Sequence, residues 1–107
     1  MATELLPLLR RVYEPVSLGA LQKATVTSTA SSLTTLSISA RSGAGGYIVQ
    51  GTTANIRYTL TSGDTPTAAN GLQLAAGATI RLTPLQFTNA KFILESGTPV
   101  ITVQAIE

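Results

Sequence analysis

The stretch NIRYTLTSGDTPTAANGLQLAAGATIRL, residues 55–82, sharply limits what this chain can fold into. Ile56, Tyr58 and Leu60 alternate with Asn55, Arg57 and Thr59, and Ile80 and Leu82 alternate with Thr79, Arg81 and Thr83. A period of two suits a strand with one buried and one wet face, because successive side chains point to opposite sides. Turn formers break the runs at Ser62-Gly63-Asp64, Asn70-Gly71 and Ala76-Gly77. The segment therefore reads as strand, acidic Gly/Pro turn, short strand, Gly turn, strand.

The same pattern extends outward. Ala24 and Val26 alternate with Thr25, Thr27 and Thr29, and Leu36, Ile38 and Ala40 with Ser37 and Ser39. Tyr47 to Gln50 follows the Gly-rich Ser42 to Gly46 segment as a short apolar strand. Phe92 and Leu94 alternate with Lys91, Ile93 and Glu95, the turn Ser96-Gly97-Thr98-Pro99 follows, and Ile101, Val103 and Ala105 complete the series. Six to eight short strands at this spacing predict an all-β fold, an antiparallel sandwich or small barrel with one wet face per sheet. The 107 residues fit one domain, and a domain of this size buries roughly two-thirds of its unfolded surface.

Residues 1–22 differ, which divides the chain into a 1–22 arm or short helix and a 23–107 sandwich domain. Leu5, Leu8, Leu9 and Val12 fall at i, i+3, i+4 and i+7, one face of a helix. A helix can begin at Pro7 and must end before Pro15. Two turns are too few to be stable alone, so the segment needs a surface to lie on. That surface is either its own domain or a neighbouring subunit. On the second reading Leu5, Leu8, Leu9, Val12 and Tyr13 are the partner-binding anchors.

Only 11% of residues are charged, whereas a free monomeric surface usually carries about a quarter or more. Such a surface either meets another protein or is solvated by the abundant Ser and Thr. The net charge of +2 comes from scattered residues, Arg10, Arg11, Lys23, Arg41, Arg57, Arg81 and Lys91. Nucleic-acid binders concentrate charge on one face, so no nucleic-acid partner is expected. No apolar run approaches a membrane span, and the Leu5–Leu9 cluster has its arginines after it rather than before, unlike a secretory leader. The expected protein is therefore soluble, not secreted, and without a membrane partner.

The chain has neither His nor Cys, which removes the commonest general base and the usual transition-metal ligands. The acids Glu4, Glu14, Asp64, Glu95 and Glu107 suggest no facing pair by their spacing. Asp64 suits turn geometry better than a cation site. Gly43 to Gly46 lacks the Lys-Ser/Thr of a phosphate loop. Tyr13, Tyr47 and Tyr58 could stack on a sugar or base, but Tyr58 shares its face with Ile56 and Leu60 and is expected in the core. Arg57 and Arg81 would form a basic spot if their strands were neighbours. The expectation is a non-enzymatic protein with no cofactor, no metal and no catalytic residues.

Ile56-Arg57-Tyr58-Thr59, Gly63-Asp64-Thr65-Pro66-Thr67, then Gly71, Leu74, Gly77, Ile80 and Leu82, and later Ala90 with Phe92-Ile93, form a series over residues 47–106. This series resembles small structural proteins of tailed bacteriophages, whose turn has its Asp and Gly in the opposite order. The resemblance implies an Ig-like sandwich and a virion protein, most of all one that decorates the head and stabilises the capsid. A tail, adaptor or fibre-base protein is the next reading it allows. The implied partners are the major capsid or other virion proteins and copies of the chain itself, and the implied location is the virion, assembled in the bacterial cytoplasm. A related pattern occurs in Ig-like modules appended to chitin- and hexosamine-degrading enzymes, which implies a carbohydrate-binding or enzyme-associated module as the alternative. Residues 1–22 match neither pattern, and neither resemblance carries over a catalytic residue.

Overall fold

The computed structural model describes residues 17–107. Its strands are β1 (Ser17–Thr25), β2 (Ser31–Ser32), β3 (Gly46–Gly51), β4 (Ile56–Thr59), β5 (Leu72–Leu74), β6 (Thr79–Leu82), β7 (Lys91–Leu94) and β8 (Val100–Ile106), with one helix, α1 (Pro84–Asn89). They form two four-stranded antiparallel sheets, sheet A in the order β1-β8-β3-β6 and sheet B in the order β2-β7-β4-β5. The protein is thus an antiparallel β-sandwich, one of the two architectures that the alternation allowed.

The core lies between the sheets. Tyr47, Val49, Leu82, Ile101, Val103 and Ala105 from sheet A meet Ile56, Tyr58, Leu74 and Phe92 from sheet B. Tyr58 stacks on Phe92 with ring centroids 5.7 Å apart, so the expectation that Tyr58 is a core residue holds. Burying a side chain such as Phe92 stabilises the fold by about 1.5–3 kcal/mol.

Consecutive strands rarely pair with each other. Only β4 and β5 follow one another within a sheet, and every other connection carries the chain across to the opposite layer. The Ala76-Gly77 turn is therefore a corner between sheets, with the Ala78 N–H donating to the Ala75 carbonyl at 2.9 Å. This places β5 and β6 on one side of the sandwich, as the crossing of residues 26–30 places β1 and β2 on the other.

Three local readings change. The Leu36–Ala40 alternation is a loop and not a strand: the Leu36 N–H donates to the Ser32 carbonyl, Ile38 N–H to the Leu33 carbonyl, and Ser37 turns through a positive φ of 67°. Leu33 and Ile38 still fill the core, which is what their apolar character required. The first strand begins at Ser17, ahead of Lys23, and a bulge between Leu18 and Gln22 interrupts its pairing with β8. Arg57 and Arg81 stand on β4 and β6, in different sheets, so their strands are not neighbours and no basic spot forms across a ladder.

The helix α1 is not predicted by the alternation, although its signals are local. The Thr83 hydroxyl accepts from the Gln86 N–H at 3.1 Å, and the Gln86 side chain accepts from the Thr83 N–H at 2.9 Å, a reciprocal capping box, with Pro84 opening the helix. Six residues at 1.5 Å each span about 9 Å, close to the roughly 10 Å between packed sheets. The helix closes one open end of the sandwich, and Phe87 stacks on Tyr47 with centroids 4.1 Å apart.

Candidate interaction surface

The anchors expected from the sequence, Leu5, Leu8, Leu9, Val12 and Tyr13, lie outside the described residues. The described residues enclose no pocket and bring together no cluster of acids that could hold a metal ion. What they offer is surface, and the surface has two contrasting faces and one distinctive end.

The outer face of sheet B carries an organised charge network. Arg57 on β4 donates through Nε and Nη2 to Glu95 Oε1, both at 2.7 Å, and through Nη1 to the Gly71 carbonyl at 3.1 Å. Gln73 on β5 donates to both carboxylate oxygens of Glu95, at 3.0 and 3.1 Å. The Glu95 carboxyl is held below its ordinary value, first by a hydrogen bond from the Asn55 side chain and further by Arg57 and Gln73, against partial burial that pushes it up. Asn55 is itself fixed, because its Oδ1 accepts from the Ala76 N–H at 3.0 Å. The network links β4 and β5 to the end of β7. Its donors and acceptors engage one another, so its chemistry is structural.

Asp64 lies in a turn held through its backbone and not through its side chain: its N–H donates to the Thr61 carbonyl, and its carbonyl accepts from the Thr59 hydroxyl. Tyr47, Tyr58, Phe87 and Phe92 are all buried. No aromatic among the described residues is therefore placed to stack on a sugar or base.

The outer face of sheet A is uncharged along its middle, and its charges, Lys23 and Arg81, are both cations on the flanking strands. Register puts Ile48 opposite Gln104 and Arg81, and Gln50 opposite Thr102 and Thr79. Lys23 pairs with Thr102 and Thr25 with Val100 along the β1 side. Ile48, Gln50, Val100, Thr102 and Gln104 thus line the middle, with Lys23 and Arg81 on the flanking strands.

One end of the sandwich gathers several features. Ser17 pairs with Ile106, Gly46 with Ile106, and Tyr47 with Leu82, so β1 begins where β6 runs into α1. In sheet B the same end holds Lys91, Thr59 and Leu72, since Thr59 pairs with Lys91 and Tyr58 with Leu72. Here Leu72 is 53% and Leu85 70% exposed. Leu85 follows from the helix: Phe87 points into the core, and a residue two positions away lies on another face. Thr83 and Gln86 at capping-box spacing, with Pro84 between them, are the sequence signals that could have located the helix.

Compared with protein-family models, curated proteins and solved structures, the chain matches none.

Proposed function

We propose that this chain is a non-enzymatic structural protein of a bacteriophage virion that decorates the head and stabilises the capsid, adhering to the shell and to neighbouring subunits. The carrying observation is the uncharged middle of the outer face of sheet A. Ile48, Gln50, Val100, Thr102 and Gln104 present β-branched and amide side chains on long, regular strands, with charge only toward the flanks. A face whose middle carries no charge loses less on desolvation than a charged one, so it can press against another protein. Many weak contacts of this kind, repeated over a lattice, bind by avidity rather than through one strong site. The arm formed by residues 4–16 adds a second attachment by lying on a neighbour, with Leu5, Leu8, Leu9, Val12 and Tyr13 as its anchors. The resemblance of residues 47–106 to small phage structural proteins points the same way. The appended glycan-binding module is the weaker reading, because the described aromatics are committed to the core.

The test is co-sedimentation of the full chain with empty shells assembled from the major capsid protein encoded in the same genome. The expected result is binding at a fixed ratio to shell subunits, weakened by Leu5→Asp with Leu9→Asp at unchanged melting temperature. A chain that stays in the supernatant at concentrations well above those in an infected cell overturns the decoration reading.

A further inference from the structure

We propose that the end of the sandwich bearing Leu72 and Leu85 receives residues 5–12 of a second copy of this chain, giving a two-fold pair that exchanges its N-terminal segments. The inference deepens the arm reading above and rests on it.

Where the chain enters the fold carries the argument. Residues 1–16 join β1 at Ser17, at the same end of the sandwich as α1. Leu72 and Leu85, two of the three large apolar side chains exposed among the described residues, belong to that end as well. They stand on the β5/β6 side, however, whereas Ser17 stands on the β1 side, across the order β1-β8-β3-β6. Three strand spacings separate the two sides, about 14 Å. A two-fold axis along the sheet normal, placed at this end, turns one copy end to end and side for side. The β1 side of each copy then faces the β5/β6 side of the other. Each N-terminal segment is delivered directly to the partner's leucines instead of crossing the end of its own domain. Val12 lies at most about 17 Å, and Leu5 about 40 Å, along the chain from Ser17, a reach longer than the three strand spacings across this end. The arrangement is isologous and closes on itself. The chemistry also matches, because Leu5, Leu8, Leu9 and Val12 supply the apolar surface that Leu72 and Leu85 lack.

The chain contains no cysteine, so one cross-linking pair can be introduced cleanly. Full-length chains carrying Leu8→Cys are mixed with full-length chains carrying Leu85→Cys, oxidised mildly, and mapped by mass spectrometry. The expected product is a disulfide joining positions 8 and 85 of different chains. In parallel, Leu72→Asp with Leu85→Asp should weaken self-association by roughly tenfold or more, measured by light scattering at equal melting temperature. Both sites are exposed, so the fold should tolerate them.

A link that forms only when both substitutions sit in one chain, yielding a closed monomer, overturns the proposal in favour of packing on the same domain. So does a full chain that remains a monomer throughout. If Leu5→Asp with Leu9→Asp abolishes association while Leu72→Asp with Leu85→Asp leaves it intact, the segment lands elsewhere. In that case this inference fails, and the virion reading still stands or falls on shell binding.

Discussion

The outer faces of the two sheets are stabilised in different ways. In sheet B, Arg57, Gln73 and Glu95 form a continuous network, and Lys91 donates to the Ser62 carbonyl at 3.1 Å. In sheet A, Gln104 donates to the carbonyls of Gly19 and Ala105, and charge is confined to Lys23 and Arg81 on the flanking strands. Strand length accounts for the contrast. The strands of sheet B have two, three, four and four residues, whereas β1, β8 and β3 of sheet A have nine, seven and six. A three-residue strand such as β5 forms few ladder hydrogen bonds, so side-chain links hold it in register. Long strands carry enough backbone pairing to leave their outer face available for contact. The comparison teaches that a side-chain charge network on one face and an uncharged middle on the other go with how each sheet is held together.

The largest expected effect tests whether the contrast is confined to the surface. Phe92, fully buried beneath sheet B and stacked on Tyr58, serves the core shared with sheet A. Phe92→Ala should cost about 3–5 kcal/mol, read from the denaturant midpoint. Hydrogen exchange should show both sheets losing protection together. If sheet B opens while β3 and β8 stay protected, the sheets are separate cooperative units and the contrast runs deeper than their outer faces.

A smaller effect concerns the network itself. Because the Glu95 carboxyl titrates below its ordinary value of 4.5 when folded, the unfolded chain binds that proton more readily. The stabilisation is complete above the ordinary value and is lost as pH falls through the folded value. Glu95→Gln should melt below the unmodified protein at pH 7, and the gap should close as pH drops below 4.5. A gap that stays constant under acid would show that ionisation of Glu95 contributes nothing to holding β5.

The smallest expected effect on stability lies on sheet A. Gln50 is exposed on β3, and Gln50→Lys should shift stability by no more than about 0.5 kcal/mol. If the face is a contact surface, the added charge should nevertheless weaken shell binding measurably. Unchanged binding would move the contact away from this face.

Much of this molecule was legible one residue at a time. The period of two in Ile56–Leu60, Thr79–Thr83 and Ile101–Ala105 specifies which side chains turn inward, because strand geometry leaves no other choice. The core position of Tyr58 followed from that rule, and so did the sandwich class. Leu36–Ala40 shows its limit. An apolar residue at every second position is equally compatible with a loop that drops Ile38 into the core, and only the hydrogen bonds around Ser32 and Leu33 select the loop. The capping box at Thr83 and Gln86 was written locally, but the placement of Leu85 on the surface depended on Phe87 finding Tyr47, a contact between residues far apart in the chain. Tertiary structure alone decided which turns are hairpins and which are corners between layers. That choice set Arg57 beside Glu95 and kept it apart from Arg81. It also brought Ser17, Leu72 and Leu85 to one end. Local sequence encodes the direction of each side chain, whereas the partner of each strand is selected by the collective burial of one core, a property that belongs to no single segment.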